Sequence, residues 1–301
     1  LDGGVRAGSG GASGTRAGSA GADGTRTGSV GGAGAGGTRR LPAGPVVLRQ
    51  AWADVTSSPT ALAALLDGMT AHGVALVTGV PTRPGAVTEV AGLFGPVWET
   101  DHGRVFDVRA GADTDGPADQ AVAPHTDNAY RESGPTVAVL ECLQDGAAGD
   151  DTVLVDGFEA VTRLDRRYPA AGRLLRRYPQ RWLLTDKTSY LGAVASVIDE
   201  APGVGLRQVR FDERTRTPAS APSDVVTDVL VALAALGRVV AAPGLQARLH
   251  LVAGDALVLD TRRMLHGRTA VRSGGARWLQ GCYADMDSLR SRLAVLRRDG
   301  A

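Results

Sequence analysis

Few residue types in this chain could do metal or nucleophilic chemistry. There are five histidines, His72, His102, His125, His250 and His266, and two cysteines, Cys142 and Cys282. The segment His125-Thr126-Asp127 stands out, because residues two apart in an extended segment share one face. An imidazole and a carboxylate side by side can occupy neighbouring positions on a metal ion. His266, in RRMLHGR, is the best candidate for a third ligand. Two histidines and one carboxylate with positions left open suit a non-haem Fe(II) ion. Taken alone the spacing is weak. His125 could lie in a surface loop, Asp127 could be a turn residue and His266 a structural histidine. The same three could also ligate the zinc of a hydrolase.

These residues need a scaffold, and the apolar patterning suggests one. Ser57 and Ser58 are candidate caps for a helix through ALAALLDGMTAHG, ending near Gly73. Val74–Val80 reads as a buried strand, and PGAVTEVAGLFG as a second helix. Thr136–Leu143 and Asp151–Phe158 read as strands, and Ser223–Ala242 as a helix. LQARLHLVAGDALVLDT and ARWLQGCYAD are strand-rich with glycine-containing turns. The run Leu257, Val258, Leu259 would carry His266 into a barrel mouth. DSLRSRLAVLRR closes the chain as a helix with Leu289, Leu293 and Leu296 on one side. The expected class is mainly β with helical cover, not an alternating βαβ fold.

Composition bounds the partners. The 301 residues carry a formal net charge of +1, with 43% hydrophobic and 4% aromatic residues. Such a balance gives no general footprint for nucleic acid or an anionic membrane. No run reaches the ~18 apolar residues of a membrane span, and no secretory signal is visible, so a cytoplasmic protein is expected. Two cysteines make neither a disulfide framework nor a thiolate zinc site; Cys142 and Cys282 read as small buried apolar residues. Residues 1–40 contain three tandem decapeptides of pattern GxRxGS, aligning Arg6, Arg16 and Arg26. Too little apolar surface is present there to offset chain entropy. A flexible leader is expected, with a basic tail or upstream coding sequence as the alternatives, and a single domain over 41–301.

The segments PHTDNAYRESGPTVAVLECLQDGAAGDDTVLVDGF, LVLDTRRMLHGR and RWLQGCYADMDSLRSRLAVLRR together resemble the γ-butyrobetaine hydroxylase branch of the taurine-dioxygenase-like (TauD/TfdA) Fe(II)/2-oxoglutarate oxygenases. The resemblance runs from about residue 45 to the C-terminus, with the three motifs in the family's order. It implies a double-stranded β-helix, a distorted jelly roll, with iron at its open end. It implies His125, Asp127 and His266 as iron ligands. Arg277, eleven residues beyond His266, matches the arginine that grips the distal carboxylate of 2-oxoglutarate, a task suited to a planar charged fork. Thr152 matches a Ser/Thr that donates to the same carboxylate, and Arg268 reads as support behind the ligands. The implied cofactors are Fe(II), 2-oxoglutarate and O2. The implied reaction is hydroxylation of a small amine or betaine-like molecule with release of succinate and CO2. Desaturation or another C–H oxidation at the same site is the alternative outcome. A non-catalytic metal-binding scaffold would have no use for Arg277 and Thr152. Asp127 argues against the halogenating relatives, which lack that carboxylate.

The substrate side departs from the family. Tyr283 and Phe106 match aromatic positions of a cation–π cage, but His102 stands where Tyr is usual, and DGPADQAVAPH lacks the family's aromatic and amide residues. Asp212, in VRFDERTR, falls where an Asn would hold the substrate carboxylate. An anionic Asp212 would repel a substrate carboxylate and favour a cation or hydroxyl; a solvated loop residue is the alternative. Asn128 and Tyr130 either line the pocket or only shape the turn. Residues 1–40 contain neither Cys nor His, so the family's N-terminal zinc module is not expected there, and a homodimer is left open.

Overall fold

Residue-by-residue alternation of buried side chains builds two sheets with a shared interior. In the computed structural model the described residues are 37–40, 44–109, 120–145, 151–218, 221–270 and 277–301. The decapeptide repeats lie outside them. The chain runs β1 (Gly37–Arg40), β2 (Val46–Ala51), α1 (Trp52–Ser57), α2 (Pro59–His72), β3 (Val74–Thr78), α3 (Val87–Gly92), β4 (Phe106–Arg109), β5 (Val122–His125) and β6 (Val137–Gln144). It continues through β7 (Thr152–Asp156), α4 (Gly157–Arg167), α5 (Pro169–Arg177), β8 (Gln180–Thr185), β9 (Tyr190–Ala195), β10 (Ile198–Ala201) and β11 (Gly205–Val209). The last elements are α6 (Val226–Val240), β12 (Ala247–Leu249), β13 (Ala256–Asp260), β14 (Met264–Arg268), β15 (Trp278–Ala284) and α7 (Met286–Arg298).

The larger sheet has the order β1-β2-β3-β13-β6-β15-β4 and the smaller one β12-β7-β14-β5. Two separate hairpins, β8-β9 and β10-β11, complete the strands. The strand β1 falls within the segment expected to be leader and pairs with β2 from Gly37↔Arg49 to Arg40↔Val46.

Period-2 alternation sorts the larger sheet into two faces. Leu76, Leu140, Leu257 and Leu279 meet Leu154, Leu249 and Met264 of the smaller sheet in one interior cluster. Their neighbours Val77, Val139, Val258 and Cys282 face the other way and pack under α2, α3 and α7 through Leu66, Val90 and Leu293. On the smaller sheet Val155 and Leu265 face outward and meet α4, α5 and α6 through Leu164, Leu175 and Leu236. The result is helices, sheet, interior, sheet, helices, so the expected β class with helical cover is observed. Truncating one such leucine to alanine would cost about 2–5 kcal/mol.

Local signals explain several boundaries. Ser58 caps α2 by accepting from the Ala61 amide (3.2 Å), and the helix ends at Gly73 with φ 73°. Ser57 instead closes the short helix α1, which the sequence reading missed. The strand expected over Asp151–Phe158 stops at Asp156, whose carboxylate accepts from the amides of Phe158 (3.0 Å) and Glu159 (3.4 Å) and so starts α4. The helix expected over PGAVTEVAGLFG is reduced to Val87–Gly92. No helix among the described residues is long and apolar enough to cross a membrane.

Candidate metal and substrate site

Two strands of the smaller sheet bring the ligand candidates together. His266 lies on β14 directly opposite His125 at the end of β5, and opposite Leu154 of β7 on its other side. Leu154 and Met264 face the interior, so alternation turns His266 inward as well. This corrects the expectation that the run Leu257–Leu259 carries His266. That run is β13 of the larger sheet, and the chain crosses to β14 through Thr261–Arg263. The crossing is clamped. Thr261 donates its amide to Thr136 O (3.0 Å) and its hydroxyl to Pro135 O (3.0 Å), and Arg263 pairs with Asp156 (2.7 Å). Gly267 lets β5 approach this point, because a Cβ there would collide with the backbone of Val122, Ala123 and Pro124.

His125, Asp127 and His266 each offer one donor atom, and the three atoms lie within 4.8 Å of one another. Among the described residues this is the only such group of three. Asp127 Oδ1 sits 3.5 Å from His125 Nε2 and 3.7 Å from His266 Nε2. The intervening Thr126 points the other way, as extended backbone requires. Its amide donates to Phe211 O (2.8 Å) and its Oγ1 accepts from the Phe211 amide (2.9 Å).

The electronic state of the three suits a divalent cation. His125 Nδ1 lies 3.0 Å from Ala123 O. A proton on that nitrogen makes the hydrogen bond and leaves the Nε2 lone pair facing Asp127. Burial alone would raise the Asp127 carboxyl. The charges that His266 and His125 carry when protonated, with the hydrogen bond from Tyr283, outweigh it and hold the group well below the usual carboxylate range. Burial pushes His266 down to about 4 against the pull of Asp127, with His125 and Arg214 adding to the fall. At neutral pH the site therefore presents one carboxylate and a neutral His266, the donor set a metal needs.

Tyr283, on the inward face of β15, donates to the other Asp127 oxygen, Oδ2, at 3.1 Å. That contact leaves Oδ1 to the histidine side. Its ring lies 5.2 Å from Phe106, which in turn is 6.1 Å from His102. Gly281 makes the slot: Phe106 of β4 pairs opposite it, and a Cβ at 281 would overlap the Phe106 ring. His102 sits in a tight turn closed by Thr100 N to Gly103 O (3.1 Å), and Trp98 N ties that turn to Tyr283 O (2.8 Å). His102 Nε2 lies 3.3 Å from the Tyr130 hydroxyl. Tyr130 in turn reaches Asp101 Oδ2 (3.4 Å) and Asn128 Oδ1 (3.3 Å). Asp101 is buried and paired with Arg131. Asn128 adopts a φ of 55° just after Asp127, a conformation asparagine tolerates better than most residues, and its buried Nδ2 has no hydrogen-bond partner among the described residues.

The remaining candidates fall as follows. Thr152 is buried on β7 opposite Arg268 and two residues before the inward Leu154. Arg277 is buried and immediately precedes β15. Asp212 is buried, not solvated, and its charge is compensated. Its carboxylate accepts from the Arg214 amide (3.2 Å), Arg214 Nε (3.0 Å) and Thr215 Oγ1 (2.7 Å). The anion expected at this position is thus paired with Arg214, and the solvated-loop alternative does not fit its burial. Much of the DGPADQAVAPH segment lies outside the described residues. Sequence reasoning passed over Asp101, Arg131, Arg210 and Arg214; the last two stand inside VRFDERTR, whose Asp212 alone drew notice.

Residues 43–283 match the taurine catabolism dioxygenase TauD, TfdA family. The chain belongs to that family. Among curated TauD/TfdA relatives, the γ-butyrobetaine dioxygenase of Pseudomonas sp. (strain AK-1) is 34% identical over 229 residues, which is 75% of this chain and 60% of that protein. The Homo sapiens γ-butyrobetaine dioxygenase is 26% identical over 75% of this chain and 60% of its own. The mitochondrial trimethyllysine dioxygenase of Bos taurus is 27% identical over 77% and 56%. The chain thus spans little more than half the length of these TauD/TfdA relatives. The solved structure of a putative α-ketoglutarate-dependent taurine dioxygenase from Burkholderia xenovorans superposes with a TM-score of 0.66 at 15% identity, covering 83% of this chain and 92% of that one. AAD-2 in complex with Mn(II) and N-oxalylglycine gives 0.66 at 14% identity, covering 82% and 97%.

Proposed function

We propose that this TauD/TfdA-family chain is an Fe(II)- and 2-oxoglutarate-dependent dioxygenase that hydroxylates a small amine or betaine-like molecule. The supporting observation is the convergence of His125, Asp127 and His266 on one point, with a tautomer, a carboxylate and a neutral imidazole suited to a cation. The named activities of the γ-butyrobetaine and trimethyllysine dioxygenases support the substrate class. The Mn(II) and N-oxalylglycine of AAD-2 support a divalent metal and a 2-oxo-acid-like ligand. In this reading the two sheets form the distorted jelly roll of such oxygenases, and residues 41–301 with the preceding strand β1 form the catalytic domain.

His125, Asp127 and His266 would hold Fe(II), a donor set of two imidazoles and one carboxylate that suits this ion. Held there, Fe(II) would supply oxygen activation coupled to decarboxylation of 2-oxoglutarate to succinate and CO2, the second oxygen atom going into the substrate C–H bond. The protein's part is orientation and exclusion of water. Arg277 would grip the distal carboxylate of 2-oxoglutarate as a bidentate fork, assisted by the Thr152 hydroxyl. Tyr283 steadies Asp127 and, with Phe106 and His102, forms an aromatic wall fit for a quaternary or protonated amine.

The test is product analysis. Purified protein with Fe(II), 2-oxoglutarate and a panel of betaines and amines, including γ-butyrobetaine and trimethyllysine, is expected to add one oxygen mass to one of them, with equimolar succinate. No oxygenated product from any amine, with succinate formed in the presence of another substrate class, would overturn the amine assignment.

A further inference from the structure

The loop after Phe211 is fixed beside the metal ligands on both sides. Phe211 exchanges two hydrogen bonds with Thr126, the residue between His125 and Asp127. Four residues on, Thr215 O accepts from the Leu183 amide of β8 (2.8 Å), and Arg216 bridges to Trp182. Arg216 N closes the loop on Asp212 O (3.2 Å). A loop held at both ends carries its crown residues in fixed positions.

Arg214 stands on that crown. Its Nε is bonded to Asp212 Oδ1 at 3.0 Å, while its side chain is 60% exposed and that of Asp212 only 4%. Nothing among the described residues hydrogen-bonds its two terminal amino groups. The buried carboxylate therefore acts as a bracket: it holds one edge of the guanidinium and leaves the outer edge free to take an anion. Arg214 lies three residues beyond Phe211, whose two hydrogen bonds to Thr126 fasten this loop to the segment carrying His125 and Asp127. Asp212 Oδ2 also accepts from the Thr215 hydroxyl, so its charge is shared between two residues. Asp127 and Asp101 are anions, and the hydroxyls of Tyr130 and Tyr283 are already engaged, which leaves the buried Asn128 Nδ2 as a neutral donor at the cluster and Arg214 as the charged one on the adjoining loop. The aromatic wall of Phe106, Tyr283 and His102 suits a cation.

We propose that Arg214, aimed by Asp212, takes a carboxylate of the organic substrate, so that the enzyme selects zwitterionic amino acids or betaines over simple amines. This rests on the oxygenase reading above, and it reverses the sense in which Asp212 acts. The acid does not repel a substrate carboxylate; it holds the arginine that attracts one.

The experiment compares γ-butyrobetaine with its carboxamide, which keeps the trimethylammonium group and replaces the carboxylate by a neutral amide. Binding is measured calorimetrically under anaerobic conditions with Fe(II) and 2-oxoglutarate present. Wild type is expected to bind the carboxylate at least about tenfold more tightly than the amide, as expected when one charged hydrogen-bonding partner is lost. Arg214→Ala should bring that ratio to about one, Arg214→Lys should restore part of it, and Asp212→Asn should lower it by loosening the bracket. Equal or undetectable binding of the two compounds by wild type, or an Arg214→Ala variant that keeps the full ratio, overturns the proposal. Iron-dependent succinate formation is scored separately on the same wild-type preparation. Its absence would sink the oxygenase reading, whereas succinate formation with an unchanged ratio would sink only the role of Arg214.

Discussion

Thr126 and Phe211 lie 85 residues apart, yet each donates its amide to the other: Thr126 N to Phe211 O at 2.8 Å, Phe211 N to Thr126 Oγ1 at 2.9 Å. The residue between the two ligand candidates thereby fastens their segment to a loop from the other end of the hairpin region. Arg210 adds to this clasp by donating to the carbonyls of Ala129 (3.0 Å) and Arg131 (2.8 Å) just beyond Asp127.

Thr126→Val keeps the shape and removes the acceptor for the buried Phe211 amide. We expect a loss of about 1–3 kcal/mol of stability, the cost of an unsatisfied buried group. Urea denaturation would read it. Unchanged stability would mean that the clasp is not formed in solution.

Tyr283→Phe keeps the ring and removes the donor to Asp127 Oδ2. Groups that orient a metal ligand typically matter about 10–100-fold in metal affinity. A Co(II) or Fe(II) titration should show a fall in that range with the aromatic wall retained. Unaltered affinity would assign the hydroxyl to substrate contacts alone.

Gly281→Ala drives a methyl into the ring of Phe106. Overpacking of this kind costs about 1–3 kcal/mol. In a double-mutant cycle with Phe106→Ala the penalty should largely disappear, because the collision partner is gone. Additive effects would show that the ring does not occupy the slot.

Glu141 on β6 is fully buried on the helix-facing side, and neither carboxylate oxygen has a partner among the described residues. Burial first, then the charge of Glu89, push its carboxyl up to about 7 from an ordinary 4.5, against the pull of Arg83. A group whose folded value is raised penalises the fold as pH climbs from the unfolded value to the folded one. Glu141→Gln should therefore change stability, relative to wild type, by a pH-independent amount below about 4.5. The difference should shift in favour of the variant between 4.5 and 7 and level off above that. The shift should be on the order of 3 kcal/mol. A difference that stays flat from pH 5 to 8 would contradict the buried, unpaired carboxyl.

The ligand pattern was legible because period-2 spacing survives folding: His125 and Asp127 do face the same way, with Thr126 turned opposite. The apolar runs likewise marked β3, β6, β13 and β15, since each alternates between two buried faces. Harder to read were α4 and α5, each of which sets three arginines among a few small or aliphatic anchors. The crossing at Thr261–Arg263 carries no glycine or proline to announce that His266 changes sheets. Asp212 was noticed as a charge, but its bracket with Arg214 depends on loop geometry that spacing alone does not encode.

The most direct measurement is succinate formation from 2-oxoglutarate under air with added Fe(II), for wild type and for His125→Ala. Iron-dependent succinate from wild type that vanishes in the variant is the predicted result. Succinate at equal rate in both, or none from wild type across the full amine panel, would contradict the assignment of His125, Asp127 and His266 as the iron site of an oxygenase.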